Sequence, residues 1–181
     1  MSDADLVPFA VVDVHYGAAG AVAACAVGAR WADAEAIEER VARIDEVAAY
    51  RPGHFFEREL PCLLEVLSLV RSPLRAVVVD GYVELDSQGT PGLGAHLHAA
   101  LGGKVAVIGA AKTAFRGGDF ATRVFRGDSR RPLFVTARGV PVEVAASLVQ
   151  HMHGDVRLPT LIKRVDSLAR QNVTGTHPRP A

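Results

Sequence analysis

The sequence predicts a mixed α/β sheet flanked by helices, and three observations carry that prediction. The chain opens with two strand patterns joined by a glycine-rich turn. Two short, wholly apolar β-branched runs come later, and amphipathic helical patterns alternate with them.

The elements follow in order. "FAVVDVH" at 9–15 reads as a strand, and "YGAAG" returns the chain into a second, "AVAACAVGARW". Residues 36–48 place Ile37, Val41, Ile44 and Val47 at helical spacing, so this segment, taken alone, reads as a helix rather than a third strand. "YRPG" at 50–53 breaks the chain. "ELPCLLEVLSLVR" then carries apolar residues at 60, 63, 64, 67 and 70, with Pro61 expected in a first helical turn. "AVVVD" at 76–80 and "KVAVIGAA" at 104–111 are strands buried on both faces. "PGLGAHLHAAL" between them is a helix. "TRVFRG" and "PLFVTARG" form a hairpin across "DSRR", and "PVEVAASLVQHM" and "PTLIKRVDSLAR" are helices, each led in by a proline. Residues 172–181 read as a frayed tail to one domain spanning 1–181.

At 181 residues and 49% hydrophobic, the chain can bury one sizeable core. No apolar run approaches the ~18 residues of a membrane span, and the acidic start "MSDADLVPFA" does not resemble an export signal. A soluble, cytoplasmic protein is expected. Cys25 and Cys62 form no C-x-x-C and read as small core hydrophobes. The formal net charge is zero, but residues 1–50 hold 3 basic and 9 acidic side chains while residues 111–181 hold 12 and 5. One basic face suited to phosphates accounts for that asymmetry, and so does a solvated, mildly basic surface.

Two acids stand out. Asp13 interrupts the first strand and Asp80 ends a later one, and carboxylates there are costly unless paired or bound to a cation. On neighbouring strands they would converge on a hard divalent ion. A turn at Asp80-Gly81 is the competing explanation for Asp80. Lys112, after the next strand, is placed either to meet a phosphate or to be solvated. Glu84, on an extended run, would share a side with Asp80 and Asp86. The pairs "HLH" and "HMH" do not share a helix face and read as surface or partly packed residues rather than zinc ligands.

Four segments in order, "VVDVHY" at 11–16, "YRPGHFFERELP" at 50–61, "VVVDGYVELD" at 77–86 and "VIGAAKTAF" at 107–115, resemble the endonuclease V family. The likeness extends through "RPLFVTARGVPVEVAASLV" and "RLPTLIKRVDSLAR", over roughly residues 9–171. It implies a ribonuclease H-like mixed sheet that begins with a three-stranded antiparallel meander, and so a strand at 36–48. It also implies metal-dependent cutting of a phosphodiester bond 3′ to inosine or deoxyinosine in DNA or RNA. Asp13, Glu59 and Asp80 match the family's metal-binding acids, and Lys112 matches its catalytic lysine. The implied cofactor is Mg2+, with Mn2+ as an alternative. Tyr50 and Pro52 fall in the family's wedge, which enters the strand beside the altered base, and Tyr16 matches the tyrosine after the first aspartate. With Gly81, a glycine beside Asp80 suited to close backbone approach, these are the expected nucleic-acid contacts.

Three departures accompany the likeness. A family histidine after the "VDG" motif is missing, and Asp86, which stands nearest its place, is a candidate second metal ligand. The wedge reads "AYRPG", and only eight residues precede Phe9. A nucleic-acid-binding protein of the same fold with little or no cleavage is therefore the alternative expectation.

Overall fold

The computed structural model describes residues 6–18, 20–47, 55–115 and 119–173. Seven strands form one mixed sheet in the order β3-β2-β1-β4-β5-β7-β6. Strands β1 (Phe9–Gly17), β2 (Gly20–Gly28) and β3 (Glu38–Ile44) make an antiparallel meander. β4 (Ala76–Val79) pairs parallel with β1, and β5 (Ala106–Ala111) parallel with β4. β6 (Thr122–Val124) and β7 (Leu133–Arg138) form the expected hairpin, with β7 antiparallel to β5. This is the ribonuclease H-like α/β architecture.

Alternation along the strands divides the interior into two cores. Phe9, Val11, Ala76, Val78 and Ile108 face α3 (Val142–His151) and α4 (Thr160–Val173), meeting Leu148, Leu161, Ile162 and Val165. Val12, Val14, Val77, Val79 and Val107 face α1 (Phe55–Ser68) and α2 (Leu93–Ala100), meeting Cys62, Leu63, Val66 and Leu97. β4 and β5 are buried along their whole length because helices cover both faces, which is why they read as continuous apolar runs. Cys25 and Cys62 are buried and unpaired, and burial pushes the Cys25 thiol up to about 12.

Residues 38–44 are the third strand that the family resemblance implies, and not the helix that the spacing of Ile37, Val41, Ile44 and Val47 favours when read alone; two further sequence expectations are corrected below. Pairing with the apolar β2, from Ala21↔Ile44 to Val27↔Glu38, outweighs local helical preference. The edge is protected by charge. Glu39 takes a two-pronged bond from Arg164 of α4, at 2.7 and 2.8 Å, and Glu38 accepts from the Arg71 and Ser72 amides and the Ser72 hydroxyl. Next, α1 begins at Phe55, so Pro61 lies inside the helix instead of in its first turn. Finally, Asn172 and Val173 complete α4 rather than opening a frayed tail, and residues 174–181 lie outside the described residues. Among the described residues, no helix is long and apolar enough to cross a membrane.

Candidate active site

The parallel pairing of β1 and β4 ends at Val12↔Val79, so Asp13 and Asp80 are the next residue on each strand. Both follow the alternation that sends Val11 and Val78 toward α4, and together they line a small crevice with Ile162 and Val165. Asp80 and Lys112 each follow directly on the last residue of their strands, β4 and β5, and the Lys112 ammonium donates to Asp80 Oδ2. Glu59 comes from α1 on the other side of the sheet and is only 7% exposed.

Burial and neighbouring charge disturb the protonation of Asp13 and Glu59. Burial, then the Asp80 charge, raises the Asp13 carboxyl to about 6, although the Val14 amide donates to it at 2.9 Å. Burial, then the charges of Asp13 and Asp80, raises Glu59 to about 8. Burial alone would pull the Lys112 ammonium down. Its hydrogen bond to Asp80, and the charges of Asp80, Asp13 and Asp166, more than offset that and hold it above the ordinary lysine value. Glu59 Oε2 is buried with no hydrogen-bond partner among the described residues.

Asp166, on α4, is the site residue that sequence reasoning missed. Its charge acts on both Asp13 and Lys112. It pairs with Arg170 at 3.0 Å, the i,i+4 arrangement of an ordinary helix surface, and this makes it look bland in sequence. A signal was present: Asp166 lies four residues after buried Ile162 and so borders the apolar stripe that faces the sheet.

The other expected residues divide. Gly81 is beside Asp80, and a side chain added there would meet nothing within 4 Å among the described residues, so the backbone is open to a close approach. Tyr16 lies under the Arg58 guanidinium, 3.8 Å from its ring centroid, and its hydroxyl is buried without a partner among the described residues. Asp86 is occupied in its own loop: it accepts from the Gln88 amide at 2.9 Å, the Thr90 amide at 3.0 Å and the Thr90 hydroxyl at 2.5 Å. Glu84 is drawn away to Arg138, at 2.8 Å. Tyr50 and Pro52 lie outside the described residues.

A cavity of about 430 Å³ adjoins the acids, lined by Asp80, Gly81, Tyr82, Lys112, Thr113 and Phe115 together with Ala111 and Ala114. The Tyr82 hydroxyl donates to the Thr113 carbonyl at 2.8 Å and accepts the Phe115 amide at 3.1 Å, so one side chain fastens both walls. Three histidines are engaged elsewhere: His96 stacks on Phe56 at 3.7 Å, and His151 and His153 contact the Ser147 carbonyl and the Thr160 hydroxyl. Among the described residues no group of three or more His, Cys, Asp and Glu side chains is placed to hold a metal ion as the side chains stand.

An acid within β1 and another directly after β4, where the parallel pairing of these central strands ends on a mixed sheet of this order, define an α/β protein of the ribonuclease H-like class. A family model described as Endonuclease V matches residues 2–140. The chain therefore belongs to the endonuclease V family. Its fold is similar to that of endonuclease V from Streptomyces avermitilis, at 25% identity and a TM-score of 0.76, over 95% of this chain and 83% of that one. It is also similar to the catalytic domain of human endonuclease V, at 22% identity and a TM-score of 0.77, over 93% and 82%. A Ciona intestinalis endonuclease V variant, in complex with a 23mer DNA containing an inosine followed by a ribo-adenosine, matches at 16% identity and a TM-score of 0.77, over 91% and 84%. No curated protein matches the chain in sequence.

Proposed function

We propose that the protein is a divalent-metal-dependent endonuclease that hydrolyses a phosphodiester bond 3′ to inosine or deoxyinosine in a nucleic-acid strand, in repair or processing. The observation that carries this reading is the set of carboxylates, Asp13, Glu59 and Asp80, brought together where the parallel pairing of the central strands β1 and β4 ends, beside Lys112. Such an arrangement is unfavourable unless a cation or a reacting group gives it a purpose.

The donor set fits Mg2+ or Mn2+. All three acids offer oxygen ligands, and Glu59 Oε2 is buried with no hydrogen-bond partner among the described residues. Asp13, Glu59 and Asp80 would hold the ion, with Asp166 facing it. Bound there, a divalent ion activates water and stabilises the oxygens of an in-line displacement. Lys112 brings positive charge to a phosphate delivered at Asp80. The cavity lined by Gly81, Tyr82, Thr113 and Phe115 takes a base withdrawn from the stack. Gly81, Tyr50 and Pro52 are the chain's candidate contacts with the strand. Tyr16, half-buried beneath Arg58, supports the wall around Glu59.

A second reading, a binding protein of the same fold that cleaves poorly, draws on Asp86. Its oxygens are engaged by Gln88 and Thr90 where the family has a histidine. The experiment that separates the two is incubation of labelled DNA and RNA strands, each with one inosine, with Mg2+ or with EDTA. Metal-dependent cutting just 3′ to inosine, absent in Asp80→Ala, supports the nuclease. Binding without cutting at enzyme excess supports the second reading.

A further inference from the structure

Arg157 lies outside the acid cluster, in the loop between α3 and α4, yet it reaches the main chain of the lysine at its centre. One terminal nitrogen of its guanidinium donates to the Lys112 carbonyl and, at 2.8 Å, to the Pro132 carbonyl. These carbonyls stand at the end of β5 and the entry to β7, neighbouring strands whose ladder closes at Ala111↔Phe134. Lys112 is therefore the first residue beyond the ladder, where strand pairing no longer fixes the backbone. Arg157 supplies the missing restraint, and the planar guanidinium fixes the direction of its donors. It does so although its own Nε is buried with no hydrogen-bond partner among the described residues, a cost that calls for an explanation.

We propose that Arg157 is a positioning residue: by clamping the main chain at Lys112 it sets the reach of the ammonium group onto Asp80 and onto the phosphate of the strand to be cut. The second half of this statement rests on the nuclease reading; the first half does not. Side chains on Lys112 respond to small backbone shifts because the long stem amplifies them. A misplacement of about 1 Å at a reacting group can cost roughly 100-fold in rate.

The chain has only three lysines, Lys104, Lys112 and Lys163, which makes a direct test practical. The lysines are labelled as 13C-dimethylamines, which keep their charge, and the Lys112 signal is identified by its loss in Lys112→Arg. In the wild type its chemical shift reports the contact with Asp80 that the clamp sets. In Arg157→Met the Lys112 signal is expected to move toward those of Lys104 and Lys163. A folded Arg157→Met protein with an unchanged Lys112 signal would overturn the proposal.

Cleavage gives a second readout. Single-turnover cutting of an inosine strand should fall roughly 10- to 100-fold in Arg157→Met, with strand affinity within about twofold. Arg157→Lys, or added guanidinium, should restore part of the rate. A loss that tracks melting temperature, with no recovery, would mark Arg157 as a structural residue only. If Arg157→Met shows no cooperative melting, Arg157→Lys is read by the same two measurements. If the wild type cuts no inosine strand, the nuclease reading fails, and the Lys112 signal still decides whether Arg157 positions the ammonium.

Discussion

The Lys112 ammonium lies against the Asp80 carboxylate, each directly beyond the end of its strand, β5 and β4, which are parallel neighbours. The pair joins a basic group directly to the acid that lines the crevice with Asp13. Replacing Lys112 by Met should reduce inosine-strand cutting by roughly 100-fold or more. Strand affinity should change only slightly, because one charge is a small part of a phosphate-tracking surface. Parallel cleavage and binding titrations check this, and equal losses in both would assign Lys112 to binding.

Glu59 makes stability depend on pH in a stated direction. Its carboxyl sits at about 8 in the folded protein against 4.5 in an ordinary setting, with burial the main cause. As pH rises from about 4.5 to about 8, the unfolded chain releases this proton while the folded chain retains it, so the metal-free protein loses stability over that window and the loss levels off above it. Asp13, at about 6, adds a smaller loss of the same sign between about 4 and 6. Glu59→Gln should flatten the profile and raise the melting temperature at pH 8 in EDTA, by about 2–4 °C for each kcal/mol relieved. Melting curves of both proteins from pH 5 to 9 decide the matter.

Divalent metal should reverse that trend. Its ligands must be ionised, so affinity rises with pH as Asp13 and then Glu59 lose their protons. Thermal stabilisation by Mn2+ should therefore be larger at pH 8 than at pH 6. It should fall at least roughly 10-fold in apparent affinity in Asp166→Asn, if Asp166 faces the ion as its coupling to Asp13 implies. Asp86→Ala should leave this affinity within about twofold, since its oxygens are committed to the Gln88–Thr90 turn. The opposite ranking of the two variants would restore Asp86 as the second metal ligand.

Tyr82 should govern discrimination between bases rather than the cut itself. Its hydroxyl ties the 113–115 segment to the loop after Asp80, joining two walls of the cavity. Tyr82→Phe removes both bonds and keeps the ring, so the ratio of kcat/KM for inosine over adenosine should narrow by about 10-fold, the effect of roughly one net hydrogen bond. A ratio unchanged within about twofold would show that the walls hold without it.

Gly109 is a packing requirement with a measurable cost. A Cβ there would stand 2.5 Å from the Gly81 carbonyl oxygen, 2.8 Å from the Thr136 hydroxyl and 3.0 Å from the Val83 amide. The Val83 amide donates to the Thr136 hydroxyl at 2.8 Å, which holds the loop after Asp80 down on the sheet. Gly109→Ala should destabilise the protein by about 1–3 kcal/mol, read by urea unfolding. The same substitution should blunt the site by lifting Gly81.

The residues legible in the sequence share one property: their neighbours along the chain betray them. Asp13 and Asp80 are charges set in apolar strands, and "AVVVD" and "KVAVIGAA" are central strands because both faces are dry. That alternation of elements was enough for a mixed sheet, and the four ordered segments were enough for the family. The strand at 38–44 was not legible from periodicity, because its apolar residues satisfy a helical spacing equally well and the choice is made by β2 alongside it.

What the tertiary structure alone decided is which side chains meet. Asp166 and Arg157 look like ordinary surface residues of "RLPTLIKRVDSLAR", and only the packing of α4 and its preceding loop brings one to Asp13 and the other to Lys112. Asp86 and Glu84 go the other way: their place in "VVVDGYVELD" points at the site, but the loop turns them onto Thr90 and Arg138. Sequence by itself determined the mixed-sheet class and the family, and it singled out Asp13 and Asp80, because a charge set in an apolar strand leaves a mark on the local pattern. The membership of the site was set by contacts between residues far apart in the chain, and such contacts leave no local mark.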